Sequence, residues 1–276
     1  MARIIVSIAI LLSGTVLGLA QDACTRSMLQ AATDGYIAAQ TAGDLSKMSL
    51  APSVKYLENM QNTTKEKGLW NTPLPIAFHR SIYDVARCAT FSEVIVTEGG
   101  HPYVIGTRLK VKDGKVTEIN SLVTDKDDWL FNAQDYLKYS KAEDWPILPV
   151  DDRVSRQQLI DAGNQYFDFV FLDKYVRAPW GTPCARLEGG AYTNPKNEYK
   201  DTCKVDAPLG ELFITQRNFL VDEEMGTVNV FCRFGGENGM PDSHTFRLVN
   251  GRYRWVHTLS VNLTGKPIVI ENAPKQ

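Results

Sequence analysis

His244 and His257 are the side chains of this sequence best suited to moving a proton. They sit in the stretch DSHTFRLVNGRYRWVHTLSV (Asp242–Val261), where two runs of alternating apolar and polar residues flank Asn250-Gly251. An imidazole titrates near neutrality, so two of them beside a substrate can serve as general acid and base. Asp242 stands two residues from His244, on the same strand face, and could hold the imidazole in one tautomer. Two histidines and a carboxylate are also a metal-ligand set. No HExxH or other local ligand spacing accompanies them, so neither a metal nor a cofactor is expected. The same histidines could equally be core residues, hydrogen-bonded to each other, to Ser243 or to the backbone.

A β-hairpin must position these residues. Asn-Gly is the dipeptide that most favours a two-residue hairpin loop, because both of its residues accept positive φ. With that loop Val249 faces Arg252; counting outward, Phe246 faces Trp255 and His244 faces His257. The register gathers Phe246, Leu248, Tyr253 and Leu259 with the histidine pair on one face and leaves Arg247, Arg252, Arg254 and Thr258 on the other. A slip of one residue would reverse both faces. Phe246, Tyr253 and Trp255 are therefore expected to wall a pocket suited to an aromatic or polycyclic ligand, and Tyr166 is assigned to the same wall. A second stretch, PWGTPCARLEGG (Pro179–Gly190), adds Trp180 and Arg186. Arg186 and Glu188 alternate with Ala185 and Leu187, so they can pair at the domain rim, and a guanidinium there could also bind a carboxylate or enolate oxygen. Trp180 either caps the pocket or seals the core.

The chain contains itself twice. TRSMLQAATDGY (Thr25–Tyr36) aligns with SRQQLIDAGNQY (Ser155–Tyr166), matching Arg26 with Arg156 and Tyr36 with Tyr166 at an offset of 130. Further on, Arg80 with Arg217 and Asp113-Gly114 with Asn250-Gly251 share an offset of 137. At that offset His244 and His257 fall on Thr107 and Asn120, so only the second half carries the titratable pair. Each half reads as a helix (Thr25–Thr41, Ser155–Asp173) followed by an antiparallel meander. In the first half, helical turns are expected through Met60 and helical spacing over Asp125–Tyr139. In the second, a loop is expected over Ala178–Cys203. The fold class is α+β: two tandem cones, each a helix wrapped by a curved antiparallel sheet with a pocket at its open end.

Residues 1–20 combine Arg3, an apolar run and small residues before the end, and read as a cleaved secretory signal peptide that leaves no membrane anchor. The expected organisation is a first domain over 21–140, a linker over 141–154 with Pro146 and Pro149, a second domain over 155–264, and a tail over 265–276. Five cysteines in an oxidising compartment should pair locally, Cys24 with Cys88 and Cys184 with Cys203, leaving Cys232 as a packed thiol. Asn62 and Asn262 stand in glycosylation acceptors. Thirty basic against thirty-two acidic residues give no field to attract nucleic acid, so the expected partner is an apolar small molecule and the expected state a monomer or homodimer. The sequence has no GxSxG elbow, Walker loop or dinucleotide fingerprint, which argues against hydride and phosphoryl transfer.

The helix-then-curved-sheet order resembles the nuclear transport factor 2-like, or SnoaL-like, fold. RSIYDVARC, DDWLFNAQ, PWGTPCARLEGG and PDSHTFRLVNGRYRWVHTLSV are similar to a family of fungal secreted proteins that carry two such domains in tandem. The fold serves ketosteroid isomerases, scytalone dehydratases, epoxide hydrolases and polyketide cyclases, as well as plain binding proteins. The resemblance implies a cofactor-free cyclase, isomerase or dehydratase of secondary metabolism. The alternatives are a secreted small-molecule binding protein and a secreted interaction protein, and fold alone does not choose among them.

Overall fold

The structure, a computed structural model, describes residues 23–199, 203, 209 and 213–264. The segments read as signal peptide and tail lie outside those residues. Each half opens with a helix whose ends the sequence sets. In α1 (Arg26–Ala42) the Thr25 hydroxyl accepts from Met28 N–H, and Gly43 closes the helix at φ 63°, a left-handed cap that suits glycine. In α3 (Arg156–Phe171) Ser155 and Gln158 form a capping box. A third helix, α2 (Ala133–Ala142), lies between the halves.

The first sheet contains β1 (Leu50–Glu58), β2 (Gln61–Asn62), β3 (Ile76–Asp84), β4 (Ala89–Val96), β5 (Tyr103–Lys112) and β6 (Lys115–Thr124), in the order β2-β1-β6-β5-β4-β3. The second repeats it with β7 (Ala185–Glu188), β8 (Ala191–Tyr192), β9 (Ile214–Asp222), β10 (Thr227–Phe234), β11 (Met240–Val249) and β12 (Arg252–Ser260), in the order β8-β7-β12-β11-β10-β9. Each sheet is antiparallel except where β1 joins β6 and β7 joins β12, both parallel. These are two tandem α+β cones. Leu29, Tyr36 and Ala39 of α1 pack against Val94, Ile105 and Ile119 in the first, and Leu159, Tyr166 and Phe167 of α3 against Val230, Phe246 and Val256 in the second. The outer faces of the two sheets meet, with Ile82, Phe91 and Leu122 packed on Leu220, Phe231 and Val261.

Three local expectations differ from the structure. Leu50–Glu58 is a strand, not helical turns; Pro52 and a register break between Leu50 and Lys55 hide its alternation. Ala185–Glu188 is a strand within the expected loop, short enough to escape a periodicity test. Helix α2 starts only at Ala133, after Asn132 caps it, so the expected helix over Asp125–Tyr139 begins too early.

The hairpin register is also corrected. Asn250 and Gly251 form the two-residue loop at φ 49° and 70°, and Val249 pairs with Arg252 as expected. Leu248 then pairs with Tyr253 but Arg247 with Trp255, so Arg254 is an extra residue on β12. Beyond this β-bulge the expected partners are displaced by one: Phe246 faces Val256, His244 faces Thr258, and Thr245 faces His257. His244 and His257 therefore point to opposite faces of the sheet. The first half has the same bulge, with Val111 opposite Val116 and Lys110 opposite Glu118.

One repeat anchor is also displaced. β3 ends at Asp84 and β9 at Asp222, each paired with the first residue of the next strand, so Arg80 corresponds to Asn218 and not to Arg217. Arg217 faces α3, donating to Asn164 and Asp168, whereas Arg80 lies beside Glu93 and Glu143.

Disulfides join Cys24 to Cys88 and Cys184 to Cys203. No helix among the described residues is long and apolar enough to cross a membrane. Both features are compatible with a secretory or extracellular location. Asn62 is exposed; Asn262 is half-buried, its amide nitrogen donating to the Asp127 carbonyl.

Candidate functional site

The inner face of the second cone carries an unusual set of polar groups. Asp242 and His244 lie two apart on β11, and Cys232 on β10 is the cross-strand neighbour of Asp242. Strand alternation puts all three toward α3, and the His244 ring meets Phe167 edge-on at 4.9 Å between centroids. Asp242 is fully buried, its Oδ1 accepting from the Ser260 hydroxyl at 3.1 Å and its Oδ2 standing 3.8 Å from the Cys232 thiol and 3.1 Å from His244 Nδ1. The last pair is close but not aligned as a hydrogen bond, and Nδ1 has no hydrogen-bond partner.

Tyr166 of α3 packs on Phe246, Tyr253 and Trp180, with ring centroids 4.9, 5.8 and 5.7 Å away. Arg186 of β7 lies near the Tyr166 hydroxyl and pairs with Glu188, which also accepts from the Trp129 indole. Burial pushes Tyr166 up to about 12; Arg186 opposes this, and Glu188 and Asp242 add to it. The phenol is therefore neutral and available as a donor. Arg186 and Glu188 are more exposed than the carboxylate and imidazole, 16% and 18% for their side chains against 0% and 7% for Asp242 and His244.

The first cone shows what these positions need for folding alone. The aligned ladders put Val94 where Cys232 stands, Ile105 for Asp242, Thr107 for His244 and Tyr56 for Arg186. Tyr36, the counterpart of Tyr166, is satisfied by the Thr107 hydroxyl at 2.7 Å, which meets Ser121 at 2.9 Å. An apolar and hydroxyl-bearing interior thus suffices in one cone. In the other, a carboxylate, an imidazole and a thiol replace it, although burying such groups opposes folding.

Of the sequence-predicted site residues, the structure brings together Asp242, His244, Tyr166, Trp180, Arg186, Phe246 and Tyr253, but not His257 and Trp255. Trp255 lies on the opposite face, pairs with Arg247 and donates to the Asp144 carbonyl at 3.4 Å. His257 is buried between the cones, its Nδ1 3.0 Å from Glu93 Oε2 and its Nε2 2.7 Å from Glu143 Oε2. Burial alone would lower its pKa, but Glu143 and Glu93 raise it to about 9, so it is an imidazolium. Burial would raise Glu93, yet His257, Arg80 and Tyr136 hold it below its ordinary value. A set of His244, His257 and Asp242 around one metal is therefore not assembled.

Cys232, read only as a packed thiol, takes the third place: with Asp242 and His244 it offers sulfur, oxygen and nitrogen within 4.8 Å of one another. Burial and then Asp242 push this thiol well above its ordinary pKa, so it is protonated and directed at the carboxylate. A cation would have to displace that proton. Cys232 was legible as an inward position only by its alternation in VNVFCRF; no local signal announced Glu93 or Glu143 as partners of His257.

A family model described as "Domain of unknown function (DUF8021)" matches residues 152–260. No curated protein sequence matches. Among solved structures, the chain is similar to an NTF-2 like protein of unknown function from Burkholderia xenovorans LB400, at 14% identity over 36% of this chain and 85% of that one, TM-score 0.29. It is also similar to AclR of Streptomyces galilaeus, a proposed hydroxylase, at 18% identity over 44% of this chain and 91% of that one, TM-score 0.28.

Proposed function

We propose that the interior of the second cone is a proton-transfer site of the cyclase, isomerase or dehydratase type, acting without a cofactor on an apolar or polycyclic metabolite of fungal secondary metabolism. The observation that carries this reading is the replacement of Val94, Ile105 and Thr107 by Cys232, Asp242 and His244 at matched positions of two otherwise similar cones. Asp242 Oδ2, 3.1 Å from His244 Nδ1, stabilises the imidazolium that forms when Nε2 takes a proton from carbon or oxygen. Tyr166, made a better donor by Arg186, stabilises the developing oxyanion. Phe246, Tyr253 and Trp180 hold the apolar body of the substrate. Entry is beside Arg186 and Glu188, past the segment that the Cys184–Cys203 bond ties down.

The test is solvent exchange. A panel of polycyclic ketones is incubated in deuterated buffer and the α-protons are followed by NMR, with Asp242→Asn and His244→Gln as controls. Exchange that disappears in both variants supports the reading. Wild-type rates equal to buffer across the panel favour a secreted carrier or interaction protein instead. The close aromatic packing around Tyr166 is the observation on that side.

A further inference from the structure

The two cones meet around an approximate twofold relation, so the interface has two matched slots. One is filled. Arg80 of β3, Glu93 of β4 and His257 of β12 line it, and α2 with the following segment covers it: Tyr136 donates to Glu93 at 2.9 Å, and Trp145 stacks under Arg80 at 4.3 Å and donates to Glu143 at 2.8 Å. The matched positions are Asn218 of β9, Phe231 of β10 and Asn120 of β6. They line the other slot, an open groove of about 400 Å³.

The charge balance of this groove differs from that of its mate, where Arg80 and the His257 imidazolium offset Glu93 and Glu143. Arg80 has two carboxylates within 4 Å, Glu93 at 3.8 Å and Glu143 at 3.7 Å. In the groove Arg87, Arg108 and Arg233 contribute three guanidiniums, while Lys110 and Glu118 neutralise each other at 3.0 Å. Arg108 is buried and, among the described residues, pairs with no carboxylate; its donors go to side-chain and backbone oxygens of Asn218 and Asn229. Burial brings it down to about 9. Arg233 keeps a buried Nε without a partner. The Arg108 guanidinium covers the buried Phe231 ring at 4.1 Å, and beside these cations the partly exposed Leu57, Met60 and Phe219 give the groove an apolar wall. A buried cation without a counterion is costly, and a ligand that brings the counterion removes that cost.

We infer that the groove between the cones binds a small anion with a flat apolar body, such as an aromatic carboxylate, whose ring rests against Leu57, Met60 and Phe219 and whose carboxylate faces Arg87, Arg108 and Arg233. The site is separate from the interior of the second cone and does not depend on proton transfer there.

Naphthalene-2-carboxylate is the probe and 2-naphthylmethanol, its neutral counterpart, the control, both titrated calorimetrically into the full-length protein. The carboxylate is expected to bind at least about tenfold more tightly than the alcohol, the size of one charge-assisted hydrogen bond. Arg87→Gln/Arg233→Gln, which keeps the buried Arg108 in place, should abolish that preference. Asp242→Asn should leave it intact. Equal binding of acid and alcohol, no heat up to millimolar acid, or a preference lost in Asp242→Asn but kept in the rim variant overturns the inference.

Discussion

Arg26 at the start of α1 forms a two-pronged ion pair with Asp222 at the end of β9, Nη1 to Oδ1 at 2.9 Å and Nη2 to Oδ2 at 3.0 Å, across the interface between the cones. Arg156 at the start of α3 does the same to Asp84 at the end of β3, at 2.8 and 2.6 Å. Each carboxylate also accepts the backbone N–H before its counterpart: Tyr83 donates to Asp222 and Val221 to Asp84, both at 2.9 Å. The repeat that matched Arg26 with Arg156 is therefore an interface device in which each half supplies an arginine to the other. Both carboxylates are buried while the arginines stay about a quarter exposed. Asp84→Ala and Asp222→Ala should each cost about 3 kcal/mol, because the interface N–H groups are left without acceptors. The double variant should separate unfolding into two denaturant transitions, one per cone, seen by circular dichroism. A single transition at an unchanged midpoint would show that the apolar contact alone couples the halves.

The His257 clamp makes stability depend on pH in a stated direction. A group whose folded pKa is raised contributes fully below its unfolded value and loses that contribution as pH climbs through the folded one. For His257 the window runs from its ordinary 6.5 to about 9. Glu93, held below its ordinary 4.5, works in reverse and weakens the clamp as pH falls under that value. Maximum stability is expected between about pH 4.5 and 6.5, with a decline of about 3 kcal/mol on the alkaline side. His257→Gln should be less stable at pH 6 and show a flat profile from pH 6.5 to 9. An equally steep alkaline decline in that variant would assign the effect to other groups.

Much of the architecture was legible because it rests on local chemistry. Apolar periodicity marked α1 and α3, and Asn250-Gly251 and Asp113-Gly114 set the hairpin loops. The site was legible only in part. Asp242 with His244 followed from strand alternation, which holds over two residues whatever happens elsewhere. Pairing His244 with His257 required counting through Arg254, and one unpaired residue reverses every inference beyond it. No residue type marks that bulge in advance. The same bulge recurs at Thr117 in the first half, and the sequence displays neither. The slip between Arg80 and Arg217 has the same origin: an offset of 137 holds in β5 and β6 but becomes 138 in β3 and β4.

Cys232 should behave as an inert thiol in the native state. The thiolate is the reactive form, and burial with Asp242 beside it suppresses that form strongly. Alkylation by iodoacetamide at pH 8 is expected only at the rate of unfolding, with one thiol per chain appearing in denaturant. A rapid native-state reaction would show that the interior opens far more readily than its packing implies.

The strongest test of the second-cone site returns it to the composition of the first. Cys232→Val, Asp242→Ile, His244→Thr and Ser260→Val would install Val94, Ile105, Thr107 and Val123 at their matched positions, with Thr107 already shown to satisfy a tyrosine in that setting. Buried polar groups kept for chemistry oppose folding, so their removal should stabilise. A gain of about 1–3 kcal/mol is expected, read as a rise of about 2–4 °C in Tm per kcal/mol for a chain of this size. Exchange activity toward polycyclic ketones should disappear in the same variant. Groups retained for structure make the opposite forecast, because removing a hydrogen-bonded network that the fold requires lowers Tm. The sign of the Tm change therefore separates a cluster maintained at the expense of stability from one that supplies it.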